Sequence, residues 1–220
     1  MTEIIVTKDG SHSLLNTELN ETYHSVHGAL QESIYVFIKN GLDPAIQKNP
    51  DSLSILEVGF GTGLNALLTL QRAQQVTSKI QYTTLEAFPL TEDIWSRLNY
   101  AESLRLQEHF NQLHRAPWNV ESSILPNFQL LKIDKTLQTV DLNSTYDLIY
   151  FDAFAPSKQP EMWTLDVLGK VVNLMKPAGI FVTYCAKGQL KRDLKSLGLN
   201  IETLPGPPGK KEMVRGVSNS

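Results

Sequence analysis

Downstream of residue 51, short apolar runs alternate with amphipathic stretches. Ser54–Val58 (SILEV) and Tyr146–Phe151 (YDLIYF) are largely apolar runs of strand length, and Ile80–Leu85, Phe128–Ile133 and Gly179–Tyr184 fall between helical patterns at strand length. Their length and flanking turn formers predict buried strands. Helical patterns fill the gaps at Leu64–Arg72, Thr91–Tyr100, Glu102–Leu113, Glu161–Met175 and Gly188–Leu197. Pro160 suits a helix start, and Pro177 with Gly179 a helix end. Leu199–Thr203 and Glu212–Val217 pattern as a closing antiparallel pair. Upstream, a strand is expected near Glu3–Lys8, then the polar segment Asp9–Tyr23. A helix is expected over Gly28–Asn40, with Ile34, Phe37 and Ile38 at i, i+3, i+4 and Gly41 as its stop. The turn-rich Asp43–Ser52 is the best boundary, dividing an N-terminal extension (1–50) from the alternating domain (51–220). This order predicts an α/β fold: a doubly wound, mostly parallel sheet with an antiparallel C-terminal strand. Crossovers in such a sheet are right-handed, and ligands bind at the carboxyl ends of its strands.

One of those ends carries the sharpest signal. Glu57-Val58-Gly59-Phe60-Gly61-Thr62-Gly63-Leu64-Asn65 joins the first strand of the domain to a helix. Glycines there admit a ligand to the backbone, and the helix start offers free N–H groups. Leu64 stands where a dinucleotide fingerprint needs its third glycine, and no lysine follows in phosphate-loop position. The pattern E-x-G-x-G-x-G instead resembles the S-adenosylmethionine (SAM) loop of class I, Rossmann-like methyltransferases. That likeness makes Glu57, Gly59, Gly61, Gly63 and Asn65 cofactor-site candidates. Glu86 ends the second strand, where a carboxylate accepts ribose hydroxyls. Asp134 ends the third, within reach of an adenine amino group. A helix-capping role for Asp134 stays open on these residues alone.

Asp152 follows YDLIYF directly, so it stands at the end of a central strand. Methyl transfer to an amine needs a deprotonated, aligned nucleophile, and a neighbouring carboxylate can orient the amine and take its proton. Asp152 is the catalytic candidate, and Phe154 a candidate to stack on a flipped base. A cap for Asp152 and plain packing for Phe154 are the alternatives.

Composition narrows the class. At 220 residues with 41% hydrophobic and 20% charged content, the chain reads as an ordinary globular protein. Its single cysteine, Cys185, excludes a disulfide framework and a multi-thiolate zinc site. His24 and His27 have no acidic or thiol partner at ligand spacing, so no metal is expected. Neither a signal peptide nor a membrane span is evident, which makes a cytoplasmic location the expectation. The net charge of −3 divides into +4 over residues 181–220 and −7 over the rest. A basic end on an acidic body suits a polyanion, with Lys158, Lys187, Lys191, Arg192, Lys210, Lys211 and Arg215 as phosphate contacts.

Longer blocks carry a more particular resemblance. D-G-S-H-S-L-L-N (Asp9–Asn16), E-T-Y-H-S-V-H-G-A-L-Q-E-S (Glu21–Ser33), G-F-G-T-G-L-N (Gly59–Asn65), D-A-F-A-P-S-K-Q-P-E-M-W (Asp152–Trp163) and L-P-G-P-P-G-K-K-E-M-V-R-G (Leu204–Gly216) resemble the methyltransferase half of the bifunctional MnmC family and its stand-alone MnmD form. The resemblance implies SAM-dependent methylation of 5-aminomethyl-2-thiouridine at the tRNA wobble position. It implies Gly59, Gly61, Gly63, Glu86 and Asp134 at the cofactor and Asp152 at the reaction. Tyr23, His24, Gln31 and Glu32 become candidates to shape the pocket, with the N-terminal block at its mouth. No flavin domain is expected in this chain, so other enzymes would supply the aminomethyl precursor. Rival readings are a methyltransferase or aminopropyltransferase for a small amine or protein, a nicotinamide-dependent oxidoreductase, and a non-catalytic SAM- or RNA-binding module.

Overall fold

A computed structural model describes residues 2–219. The N-terminus forms a small antiparallel sheet of β1 (Thr2–Val6), β2 (His12–Asn16) and β3 (Glu21–Thr22). The polar segment Asp9–Tyr23 therefore contains two strands that its composition hides. Ser13 and Leu14 of β2 are its buried positions, too short a pattern for periodicity to register.

A continuous helical run follows: α1 (Ala29–Ser33), a π-helix (Ile34–Leu42) and α2 (Asp43–Lys48). Gly41 does not end it, and the expected boundary at Asp43 is helical. The reason is local. Pro44 lacks the N–H that would bond the Asn40 carbonyl and crowds it. The wider turn relieves this: the Asp43 N–H reaches back to the Ile38 carbonyl, and the Arg215 guanidinium contacts the Asn40 oxygen at 3.4 Å. Gly41 is instead where the run meets the sheet. A Cβ there would stand 2.9 Å from Val182 Cγ2.

The main sheet has eight strands: β4 (Ser52–Val58), β5 (Lys79–Leu85), β6 (Glu121–Leu125), β7 (Phe128–Ile133), β8 (Tyr146–Phe151), β9 (Met175–Thr183), β10 (Leu199–Pro205) and β11 (Glu212–Ser218). Their order is β10-β11-β9-β8-β4-β5-β7-β6. Strands β7, β5, β4, β8 and β9 pair in parallel; β11 and β6 run against them, and β10, antiparallel to β11, runs in the same direction as β9. The doubly wound expectation holds, with β6 as an added edge. Chain order departs from β4 to either side, so β4 and β8 flank the topological switch point.

Side chains alternate across this sheet and give it two cores. Leu53 and Ile55 of β4, with Leu148 and Tyr150 of β8, join the face shared by Phe37, Leu42 and α3 (Leu64–Ala73). Leu56, Val58, Ile149 and Phe151 face Leu168 and Val171 of α7 (Leu165–Asn173) and Leu190 and Leu194 of α8 (Gly188–Ser196). Tyr150 packs on Phe37 with ring centroids 5.2 Å apart.

The helices between β5 and β6 are shorter than expected: α4 (Glu92–Trp95), α5 (Tyr100–Leu104) and α6 (Gln107–Arg115). Arg105 takes a left-handed conformation (φ 57°) and breaks the last two. A 3₁₀ turn (Pro160–Trp163) precedes α7, and β9 begins at Met175, inside the stretch expected to be helical. Its ladder with β8 shifts register between Met175 and Ile180. Pro177 sits in that bulge, the place a strand tolerates proline.

Candidate active site

The turn from β4 to α3 is built on left-handed glycines at Gly59 (φ 97°), Gly61 (φ 50°) and Gly63 (φ 74°). At Gly59 a Cβ would lie 2.8 Å from the Asp152 carbonyl oxygen, a backbone atom, and at Gly63 2.8 Å from His114 Nε2. The Asp152 N–H in turn donates to the Val58 carbonyl at 3.0 Å. The glycine loop and Asp152 are thus brought side by side at the switch point. Glu86 braces the loop from β5, accepting from Gly61 N–H and Phe88 N–H at 2.9 Å each. Beneath it, His114 packs between rings, stacked on Trp95 at 4.5 Å, with Nε2 3.1 Å from the Thr62 carbonyl. Burial pushes its pKa down to about 3, so the ring is neutral. Nothing in the local sequence around His114 announced this support.

A cavity of about 1180 Å³ opens over the loop. Gly59, Gly61, Asn65, Glu86, Asp152, Tyr23, His24, Phe154 and Lys210 all line it. Phe88 lines it too and is 80% exposed. Tyr23 and Phe154 meet edge to face, centroids 5.0 Å apart. His24 is buried, and burial holds its pKa near 4, which leaves it uncharged near neutrality.

Other candidates lie elsewhere. Gln31 is exposed on α1, while its neighbour Glu32 is buried and faces the cavity. Asp134 is exposed and accepts from Asn119 Nδ2 at 2.7 Å; the next four residues, Lys135 to Gln138, line the cavity in its place. Gly63, Lys158 and Lys211 are outside the lining. Lys191 pairs with Glu212 (2.7 Å) and Arg215 with Glu202 (2.6 Å). Among the described residues, no group of three His, Cys, Asp or Glu side chains is arranged for a metal, and no helix is long and apolar enough to cross a membrane.

Three carboxylates gather at the loop: Asp152 and Glu32 on the cavity side and Glu57 behind it. Asp152 Oδ2 accepts from Asn65 Nδ2 at 2.8 Å. Its pKa is raised to about 7, chiefly by burial and then by Glu32, with Asn65 and Lys210 opposing. Glu57 is fully buried under the loop and accepts from Thr84 Oγ1 at 2.7 Å. Burial lifts its pKa to about 8, and Asp152 adds to the rise. Glu57 is not among the cavity-lining residues, so it supports Asn65 and β5 from behind.

The raised Glu57 pKa makes a stability prediction. Its contribution is fully present below the ordinary value of 4.5 and is lost as pH rises towards about 8. Within that window each pH unit removes up to about 1.4 kcal/mol, or ~3–5 °C in Tm for a chain this size. Glu57→Gln cannot ionise, so its Tm should fall less than wild type between pH 5.5 and 8.5. Parallel melting curves across that range would show it; equal slopes would remove Glu57 as the cause.

A doubly wound sheet with a glycine turn and a carboxylate meeting at its switch point defines a class I SAM-dependent methyltransferase. Residues 99–219 match the family described as S-adenosyl-L-methionine-dependent methyltransferase, and the chain belongs to that family. The crystal structure of MnmC2 from Aquifex aeolicus superposes with a TM-score of 0.82 at 27% identity, covering 100% of this chain and 70% of that one. The likeness supports a methyltransferase domain of the MnmC/MnmD type. Two more distant neighbours share the fold alone. One is 1,6-didemethyltoxoflavin-N1-methyltransferase from Burkholderia thailandensis, solved with S-adenosylhomocysteine (TM-score 0.50, 10% identity, 86% of this chain and 80% of that). The other is the N-methyltransferase NodS from Bradyrhizobium japonicum (TM-score 0.50, 10% identity, 81% and 92%). SAM is therefore the cofactor. The chain fits it: side chains are missing where the loop meets the cavity, and carboxylates stand at both ends of the loop.

Proposed function

We propose that the chain methylates the 5-aminomethyl group of (2-thio)uridine at the tRNA wobble position, giving the 5-methylaminomethyl product. The observation that carries the chemistry is Asp152: a carboxylate at the switch point, poised near neutrality, beside the glycine loop. The wobble substrate rests on the blocks that resemble the MnmC family and on the likeness to MnmC2, which spans this chain and 70% of that one.

SAM supplies a methyl group carried on a sulfonium. Gly59, Gly61 and Asn65 would hold it at the loop, with Glu86 at the ribose. The chain's own task is the amine. An alkylamine is protonated near pH 7 and must lose that proton before its lone pair can form the N–C bond. Asn65 holds Oδ2 of Asp152, which leaves Oδ1 to accept the proton and pass it to water. Tyr23 and Phe154 would flank an everted base. Residues 1–50 act as an extension that walls the cavity of the catalytic domain, 51–220. Exposed Lys187 and Lys211, with Lys158, would meet tRNA phosphates. Other enzymes would install the aminomethyl group.

The test uses SAM labelled in its methyl group, with tRNA carrying 5-aminomethyluridine at the wobble position or the unmodified transcript. Methylaminomethyluridine from the first alone, identified by mass after digestion, is expected. Label in neither tRNA, but in a small amine or a protein, would replace this substrate with that one.

A further inference from the structure

Lys210 departs furthest from the role its sequence position suggested. The loop after β10 was expected to offer two lysines to phosphate. Lys211 is exposed, but the Lys210 side chain is only 28% exposed and turns into the cavity. Its ammonium lies 2.5 Å from Glu32 Oε1 and 3.6 Å from the centroid of the Tyr184 ring. The Glu32 side chain is 6% exposed, and its other oxygen accepts from the Ser25 N–H at 2.7 Å. The Tyr184 hydroxyl donates to the Ala153 carbonyl at 2.9 Å, which ties the ring to the residue after Asp152. Glu32, Tyr184, Lys210 and Asp152 line the same cavity.

A buried carboxylate under an aromatic face is a site for an alkylammonium. Lys210 presents such a group: a primary ammonium on a methylene. An aminomethyl substrate presents the same group. We propose that Glu32 and Tyr184 form the subsite for the substrate ammonium, and that Lys210 fills it as an internal surrogate until substrate displaces it. The inference rests on the reading that this cavity takes an amine.

The physical argument is charge conservation. Leaving the Glu32 carboxylate buried without a cation is costly. Lys210 meets that need in the free protein, and the substrate ammonium meets it in the complex. A neutral analogue, such as a hydroxymethyl group in place of aminomethyl, would leave Glu32 without a cation if it displaced Lys210, and would find the subsite filled if it did not. The exchange thus selects for an amine by penalising its isostere. The loop permits the movement. Its ends are closed by the Pro205–Glu212 pair of the β10–β11 ladder, and Gly206 N–H bonds the Lys211 carbonyl at 3.1 Å. Lys210 can therefore swing out at its side chain while the ladder stays paired.

Steady-state methylation of aminomethyl-bearing tRNA is measured for wild type, Glu32→Gln and Lys210→Gln. Calorimetric binding of the nucleosides 5-aminomethyluridine and 5-hydroxymethyluridine is measured alongside. A charged contact of this kind is worth about 10-fold or more in affinity. Glu32→Gln should raise KM and weaken aminomethyluridine by about that factor, with kcat within about 3-fold and discrimination against the hydroxymethyl nucleoside lost. Lys210→Gln removes the competitor and should shift aminomethyluridine the opposite way, several-fold tighter, leaving the hydroxymethyl nucleoside unchanged. The same direction for both variants would overturn the inference and make the pair a simple brace. A raised KM for tRNA in Lys210→Gln, with no tighter nucleoside binding, would overturn it in favour of a phosphate contact. Absence of aminomethyluridine binding to Lys210→Gln would also overturn it. The wobble reading is judged separately by whether wild type methylates the tRNA at all, since nucleoside binding is read without methyl transfer and the inference rests on the opposite shifts of the two variants.

Discussion

Asp152→Asn is expected to lower kcat about 100-fold or more, the lower range for losing a positioned proton acceptor, while SAM affinity changes little. Asparagine keeps the size of the side chain and an oxygen to accept from Asn65 Nδ2, which donates to Asp152 Oδ2 at 2.8 Å in the wild type. What it loses is the anion. The diagnostic is therefore the pH profile. Burial, then the charge on Glu32, raises the Asp152 pKa to about 7. Below that pH the carboxyl is protonated and cannot take the amine's proton, so wild-type rate should climb through about pH 7 and level off above it. The substrate amine loses its own proton at higher pH, so it contributes a later limb in both proteins. Asp152→Asn should keep only the later limb. Single-turnover rates from pH 5.5 to 9 would measure this; a variant that retains the limb near 7 would move the titration to another group.

The same raised pKa has a cost in stability. A carboxyl that binds its proton more tightly when folded stabilises most below the ordinary carboxylate range and loses that contribution as pH rises to about 7. Asp152 and Glu57 act in the same direction, so the site is least stable where it is most active. Asn65 stands between them in the fold and donates to Asp152. The arrangement spends stability to keep a carboxylate poised, a common trade at reacting centres.

Much of this was legible along the chain. The central strand β8 declared itself because it is buried at all six positions and reads as a nearly continuous apolar run, YDLIYF, whereas β5 (KIQYTTL) and β7 (FQLLKI) carry polar residues and were placed by their spacing in the alternation. Gly59 and Asp152 were legible because strand ends are functional positions in this architecture. What escaped notice was set by pairing at a distance. Strand β2 is amphipathic over five residues, and β6 offers only Ile124 and Leu125 to its neighbour. The helical run through Pro44 reads as a stop because a proline normally is one; only the wider π turn and the distant Arg215 reconcile it. At the site, charge counting along the chain assigned Lys210 to solvent. Its partner Glu32 is 178 residues away in sequence, so no local pattern connects them. Gln31 and Glu32 show the same limit at one-residue scale: a helix places adjacent residues about 100° apart, and α1 turns the second one inward.

Gly59→Ala should have the largest effect on the folded protein. At φ 97° an L-residue is strained by roughly 1–2 kcal/mol. The added Cβ would also stand 2.8 Å from the Asp152 carbonyl oxygen, a backbone atom that no rotamer change can move away. Strain and overpacking together reach ~2–4 kcal/mol, which is about 5–15 °C in Tm for a chain of this length. Gly10→Ala is the matched control. Gly10 also has a positive φ, 83°, but open space where its Cβ would go, so it should lose the strain alone. The gap between the two variants then isolates the contact between the glycine loop and the end of β8. If that contact also shapes the cofactor's seat, Gly59→Ala should weaken SAM more than about 10-fold at temperatures where it remains folded, while Gly10→Ala binds SAM as wild type does. Equal melting losses in the two variants would show that the loop and β8 can part freely, and would remove the proposed coupling between cofactor loop and Asp152.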